Sequence, residues 1–292
     1  MTDKIELLSE DLIEQHPGLA MEVLGASSRL AIPLGWHYLL DLIWILRELG
    51  ERKSLTILEI GAGMGLLQFL LADRGHKVIS ADMRVRTPPT QTGGLYNFDS
   101  LGTSDSIDHA YLKHHSLQNA PRKSALKKLK SMLKPGGTRS SMPARDLPTI
   151  TLYRCDATLM TEIADKTVDA VISVSAMEHN EPSQAKRINA EAIRTCRVGG
   201  FILHTTSACK SGQQFHAESH SHLLGEAELA AVYSLGNFTS NFAQYDTFEK
   251  NLGNARHLNR WLAHTYYRSE KNGMPWGIWN PAYMPVALRK EV

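Results

Sequence analysis

The sequence predicts an α/β fold built on a mostly parallel sheet, and three observations carry that reading. Leu55–Ile60 is a short β-rich run, Gly61-Ala62-Gly63-Met64-Gly65 follows it directly, and Leu66–Arg74 resumes helical spacing up to Gly75. Lys77–Ala81 is a second strand closed by Asp82, which completes one βαβ unit over 55–82. After residue 150, further short apolar runs alternate with helical stretches. With 292 residues, 42% of them apolar, the chain suits one α/β domain carrying insertions.

The elements follow in order. Residues 1–54 read as an N-terminal helical cap. Asp11–Glu14 and Leu19–Leu24 are short periodic pieces on either side of Pro17-Gly18. Gly35–Leu49 is a stronger helix, with apolar residues at 36, 39, 40, 43, 46 and 49, and Gly50 suits its end. The core covers 55–82 and 151–292, interrupted by an insertion over 83–150. Thr151–Arg154 is a short strand with Asp156 just past it. Ala170–Val174 is apolar but for Ser173, which suits a strand buried on both faces. Gln184–Thr195 is helical, Phe201–Thr205 a strand and Glu226–Ser234 a helix. Phe238–Tyr245 and Tyr283–Leu288 are expected to close the sheet as an antiparallel hairpin, with helical Phe248–Tyr267 on the excursion between them.

Composition excludes several classes. Charged residues make up 21%, with 32 Lys+Arg against 30 Asp+Glu, so the chain is neither disordered nor fibrous. The apolar run Tyr38–Leu46 is too short to span a bilayer, and the acidic first ten residues do not read as a secretory signal. Three cysteines without C-x-x-C spacing read as free thiols in a reducing compartment, and a cytoplasmic location is expected. Charge is uneven. Residues 83–150 hold eleven Lys/Arg and four Asp, a local +7 that leaves −5 elsewhere, together with half of the twelve prolines. This segment reads as a loop-rich excursion with one or two helices, among them a basic helix over Pro121–Lys134. It leaves from the carboxyl edge of the sheet, where it either docks on the acidic body or attracts an anionic acceptor.

The glycine turn and the strand ends carry the chemistry. Glycines at a strand-to-helix turn let the backbone approach a ligand, and the helix start offers unpaired N–H groups. The dinucleotide pattern G-x-G-x-x-G fails, because position 66 is Leu. Glu59 precedes the first Gly, Asp82 closes the second strand, Asp156 follows the third, and Ser175–Glu178 follow the fourth. All line the carboxyl edge of one parallel sheet, the usual ligand crevice.

These motifs resemble the class I S-adenosylmethionine-dependent methyltransferases. The matching residues are Ile57–Gly65 (ILEIGAGMG), Val78–Asp82 (VISAD), Tyr153–Ala157 (YRCDA), Asp169–His179 (DAVISVSAMEH) and Arg197–Thr206 (RVGGFILHTT). The resemblance covers 55–82 and 150–206 well and 226–290 loosely. It implies a Rossmann-like, seven-stranded, mostly parallel sheet flanked by helices, with S-adenosylmethionine as cofactor. Gly61, Ala62, Gly63 and Gly65 would face the methionine portion, and Glu59 would hold its amino group. Asp82 would bind the ribose hydroxyls, with Met83 against the adenine. Asp156 would accept from the adenine amino group, and Ala157 would add a backbone contact. Ser175 and Ala176 would flank the sulfur. One departure is large: 68 residues separate the second strand from the third.

Methyl transfer needs alignment above all, and a general base only if the acceptor must lose a proton. Two candidate bases stand out. His179 follows the fourth strand beside the expected cofactor; packing against the cofactor is its plainer role. His37 lies in the polar-aromatic run Gly35-Trp36-His37-Tyr38; there the plainer role is a core helix with a snorkelling Tyr38. His216, His220 and His222 do not share a helical face, and the metal-dependent pattern is replaced by Ser175 and Thr205-Thr206-Ser207, so no catalytic metal is expected. The expected activity is methyl transfer to a small-molecule acceptor. The alternative is an RNA or protein methyltransferase that uses the basic insertion on a polyanion. A nicotinamide oxidoreductase and a non-enzymatic cofactor binder are the remaining readings. No membrane partner is expected.

Overall fold

The structure is a computed structural model that describes residues 2–84, 86, 89–101, 147–259, 279 and 281–292. The basic helix expected over Pro121–Lys134, and the part of Phe248–Tyr267 beyond residue 259, lie outside the described residues.

The N-terminal segment opens with a strand, which corrects the all-helical reading of residues 1–54. In β1 (Asp3–Leu7) residues 3, 5 and 7 are buried and Lys4 and Glu6 half-buried, the period of two that a strand requires. α1 (Asp11–Gln15) and α2 (Pro17–Leu30) follow, with Pro17 at the first position of α2, where its missing N–H costs nothing. α3 (Tyr38–Leu49) buries nine of its twelve residues, including Asp41. It is a core helix, apolar on nearly all sides, rather than an amphipathic cap.

The βαβ unit forms as expected, from β2 (Thr56–Ile60), α4 (Leu67–Asp73) and β3 (Lys77–Asp82). The insertion begins by adding an unexpected edge strand, β4 (Asn97–Leu101), parallel to β5 (Thr149–Arg154). It docks just before β4: the Tyr96 ring lies 5.0 Å from Phe69 and its hydroxyl donates to Asp73 at 3.0 Å. Then come β6 (Val168–Val174), α5 (Pro182–Thr195), β7 (Cys196–Ala208), the hairpin β8 (Gln213–His216) and β9 (Ser221–Leu224), α6 (Glu226–Val232), β10 (Phe238–Ser240), α7 (Tyr245–Gly253) and β11 (Met284–Glu291).

Among the described residues, eleven strands form one sheet in the order β10-β1-β11-β7-β6-β2-β3-β5-β4, with β9 attached to β7 and β8 to β9. Along the main path only β11 runs against the rest, so the sheet is mostly parallel but larger than the expected seven strands. The closing hairpin is not formed. β1 lies between its two arms, with Asp3 opposite Phe238 and Ile5 opposite Leu288. Two side chains hold this arrangement. Asp3 accepts from the N–H groups of Glu291 (2.9 Å) and Gly236 (2.8 Å). Asn241 bonds both the N–H and the C=O of Leu7 and ends β10 after three residues. Cys155, Cys196 and Cys209 are unpaired. Among the described residues, no helix is long and apolar enough to cross a membrane.

An ion-pair network joins β1, α3 and β11. Glu6 takes a bidentate Arg47 (2.7 and 3.0 Å) and the Trp44 indole (2.9 Å), while Glu48 takes Arg47 and Arg289. Burial opposes the charge on Glu6, but Arg47 and Trp44 outweigh it and pull its carboxyl down to about 2. A depressed carboxyl stabilises the fold above its ordinary value near 4.5, and this support is lost as pH falls towards 2. Glu6→Gln is therefore expected to lower the unfolding free energy at pH 7. Chemical denaturation across pH should show the gap to wild type closing between about 4.5 and 2.

Candidate active site

The carboxyl ends of β2, β3 and β6 lie side by side, the edge where open parallel sheets bind ligands. Gly61 has φ +70°, and its N–H, with that of Ala62, donates to the Ala81 carbonyl, so the turn is clamped on the end of β3. A Cβ on Gly61 would sit 2.4 Å from the Ala176 Cβ, so only glycine lets this turn meet the turn after β6. Gly63 has φ +48°, and its N–H donates to Asp82 Oδ2 at 2.7 Å. The Gly65 N–H donates to the Ala62 carbonyl, and the Gly65 carbonyl accepts from Gln68.

Glu59 stands in register with Ser80 and is buried, and its Oε2 has no partner among the described residues. Burial drives its carboxyl up to about 8; Arg86 opposes the shift and Asp82 adds to it. Arg86 is itself buried and donates from Nη1 to the Ser80 carbonyl and hydroxyl. Asp82 accepts one backbone N–H on each oxygen, from Gly63 and Arg84, which leaves lone pairs on both oxygens for hydroxyl donors. Met83 beside it is 68% exposed. Asp156 is exposed, and two bonds from Thr158, at its N–H and hydroxyl, hold its carboxyl below the usual range; Ala157 is half-buried.

A second cluster adjoins the first through Ser175-Ala176. Ser175 has φ +44°, and its hydroxyl donates to Asp41 Oδ2 at 3.1 Å, while Ala176 underlies Gly61. Asp41 Oδ2 also meets His37 Nδ1 at 2.8 Å. The rings of Trp36, Tyr38 and Tyr283 surround His37 at 4.7, 5.1 and 5.9 Å between centroids. Glu178 is buried, with one oxygen accepting from the Ser207 hydroxyl. Glu178 Oε2 and Asp41 Oδ1 have no partner among the described residues. Burial opposes a charge on His37, but Asp41 and then Glu178 outweigh it and raise its pKa. Burial raises the Glu178 carboxyl, against the pull of His179 and His37.

His179 is exposed, and its Nδ1 lies 3.1 Å from the His220 carbonyl. The reason is local. β9 joins β7 at Ala208, beyond the end of β6, so the β8–β9 hairpin lies over the turn that carries His179. His216 bonds Ser219 and Glu218, and His222 lies 3.5 Å from Glu181.

The structure thus brings Glu59, Gly61–Gly65 and Asp82 together, and sets His37 beside Ser175. It leaves His179 on the outer side of its turn. Glu178 falls within Ser175–Glu178, which the sequence placed at the carboxyl edge, whereas Asp41 does not stand among the strand-end residues. Asp41 carried a usable signal, since an acid inside an apolar helix needs a partner or a purpose.

No protein-family model matches the chain, and no curated protein matches it. Among solved structures, geranyl diphosphate methyltransferase in complex with SAM is similar at 12% identity over 97% of this chain and 95% of its own, with a TM-score of 0.44. The PH0226 protein from Pyrococcus horikoshii OT3 is similar at 18% identity over 58% of this chain and 53% of its own, TM-score 0.33. Phosphoethanolamine N-methyltransferase 1 of Haemonchus contortus is similar at 17% identity over 58% of this chain and 26% of its own, TM-score 0.33. The chain therefore spans about half the length of the second and a quarter of the third. A similar layout does not fix chemistry, so function rests on the site.

Glu59 yields a direct test. A buried acid with a raised pKa keeps its proton in the folded state while the unfolded chain loses it. Stability therefore falls as pH rises from about 4.5 to about 8. Glu59→Gln stays neutral throughout. Thermal unfolding should show the variant equal to wild type at pH 4 and more stable above pH 8.

Proposed function

We propose that this chain is an S-adenosylmethionine-dependent methyltransferase that acts on a small-molecule acceptor by in-line displacement. One observation carries the reading: the buried, unpartnered carboxyl of Glu59 beside a glycine turn at the edge of a parallel sheet. Burial raises this carboxyl in spite of the nearby Arg86, and a ligand ammonium relieves the remaining cost.

The other residues fit the same cofactor. Gly61, Ala62, Gly63 and Gly65 would take its methionine portion, and Glu59 its amino group. Asp82 would take the ribose hydroxyls on its free lone pairs. Met83, Asp156 and Ala157 would line the adenine, with Asp156 accepting from its amino group, and Ser175 and Ala176 would lie near the sulfur. When bound, the cofactor would supply a methyl group activated on a sulfonium, to which an acceptor lone pair can bond as the C–S pair leaves on sulfur. The chain's task is to hold the acceptor in line and to take its proton.

We assign the base role to His37. Asp41 holds its Nδ1, which leaves Nε2 as the basic nitrogen inside the buried cluster. His179, the other candidate, is exposed. Burial of Trp36 and His37, at 2% and 4% exposure, favours a small acceptor over an RNA or protein chain.

Titration calorimetry with S-adenosylmethionine tests this reading. Binding at pH 7 should release a proton as Glu59 ionises, detected from buffers of different ionisation enthalpy, and the release should shrink above pH 8. Asp82→Ala should weaken binding by about 1.5–3 kcal/mol. Absence of S-adenosylmethionine binding, or binding of NAD in its place, would overturn the proposal.

A further inference from the structure

We infer that the methyl acceptor is an amine, bound as its ammonium ion at the buried cluster of Trp36, His37, Tyr38, Tyr283, Asp41 and Glu178. This rests on the methyltransferase reading and goes beyond it by naming the substrate class.

The cluster buries two acids, Asp41 and Glu178, and one base, His37, while the exposed His179 acts on Glu178 from outside it. Among the described residues, no Lys or Arg bonds either acid, and each acid keeps one buried oxygen without a partner, Asp41 Oδ1 and Glu178 Oε2. Tyr38, Tyr233 and Tyr283 also face the cluster, and the His216 ring lies 5.5 Å from that of Tyr283. Burial, with Glu178 adding to it, holds the three phenols protonated, with Tyr283 up to about 12, so they add no positive charge.

This arrangement ranks the acceptor classes. An anion finds two acids and, among the described residues, no free cation. A neutral hydroxyl satisfies lone pairs but leaves Glu178 to burial, which favours its neutral form. An ammonium ion supplies both the N–H donors and the positive charge that lets Glu178 ionise. The walls agree, because Trp36, Tyr38 and Tyr283 are aromatic, and ring faces attract alkylammonium groups.

Position supports the same conclusion. The Ser175 hydroxyl reaches Asp41 in the cluster, while Ala176 touches the Gly61 turn. The two groups of residues share this single turn. The proton step balances: the ammonium N–H bond breaks, its proton goes to His37 Nε2, and the electron pair stays on nitrogen. A neutral imidazole becomes an imidazolium while the ammonium becomes the amine that attacks.

The test compares 3,3-dimethylbutan-1-amine, an ammonium ion at neutral pH, with its uncharged isostere 3,3-dimethylbutan-1-ol, each titrated into the full chain and followed by tryptophan fluorescence and calorimetry. The amine is expected to bind at least about tenfold more tightly. Glu178→Gln should remove most of that preference and leave the alcohol's affinity unchanged, with retained S-adenosylmethionine binding showing that the variant is folded. Equal binding of the two probes, tighter binding of the alcohol, or no binding of the amine overturns the proposal without recourse to any variant. The same preparation is titrated with S-adenosylmethionine. Cofactor binding without an amine preference refutes the amine acceptor alone. An amine preference without cofactor binding refutes the methyltransferase reading and leaves an ammonium site.

Discussion

The site depends on the approach of the Gly61 turn to Ala176. The loops after β2 and β6 meet so closely that the smallest side chain on Gly61 would stand 2.4 Å from the Ala176 Cβ. β2 and β6 are adjacent and parallel, so both loops leave in the same direction from neighbouring positions. Omitting one Cβ lets them touch. That contact sets the glycine turn against Ser175-Ala176, and it places Glu59 on one side and Asp41 on the other within one continuous region.

Three carboxyl groups in that region are left partly unpartnered, and the contrast with the rest of the molecule is instructive. Glu6 and Glu48 are as structural as any acids here, and each is matched by arginine at 2.7–3.2 Å. His204 is buried within β7, where burial alone drives its pKa down to about 3, so it stays neutral. Glu59, Asp41 and Glu178 follow neither pattern. Among the described residues, each keeps a buried oxygen with no donor, at the edge where ligands bind in open α/β sheets. Departures from local consistency concentrate at functional sites, because binding supplies the partner that folding withholds.

The sequence disclosed the parts of the fold that local signals encode. The βαβ unit over 55–82 was legible because period, glycine turn and strand all change within a few residues. The strands after residue 150 were legible for similar reasons. β1 was missed because five residues of alternation are a weak signal ahead of a strong helical stretch. The missing hairpin has a different cause. Which strand lies beside β11 is decided by long-range pairing and by Asp3 and Asn241, and no local pattern reports it. The positions of Glu59 and Asp82 at strand ends were legible, as was that of Ser175–Glu178. Which of Glu178 and His179 is buried was not, because a one-residue difference in a turn decides which side chain faces inward.

The added strand also explains how the N-terminal segment serves the site. β1 occupies the place beside β11, and through Glu6 it grips Trp44 and Arg47 of α3. α3 carries Asp41 in its first turn and follows directly from His37. Trp44 lies three positions beyond Asp41, and Arg47 six, so the anchored residues and the dyad belong to one short rigid helix. β11 bonds to β7, and β7 is the neighbour of β6, whose turn brings Ser175 to Asp41. A closed chain of contacts thus runs from β1 through α3 to Asp41 and Ser175, and back through β6, β7 and β11 to β1. The strand that no local pattern disclosed therefore holds the dyad in register with the glycine turn.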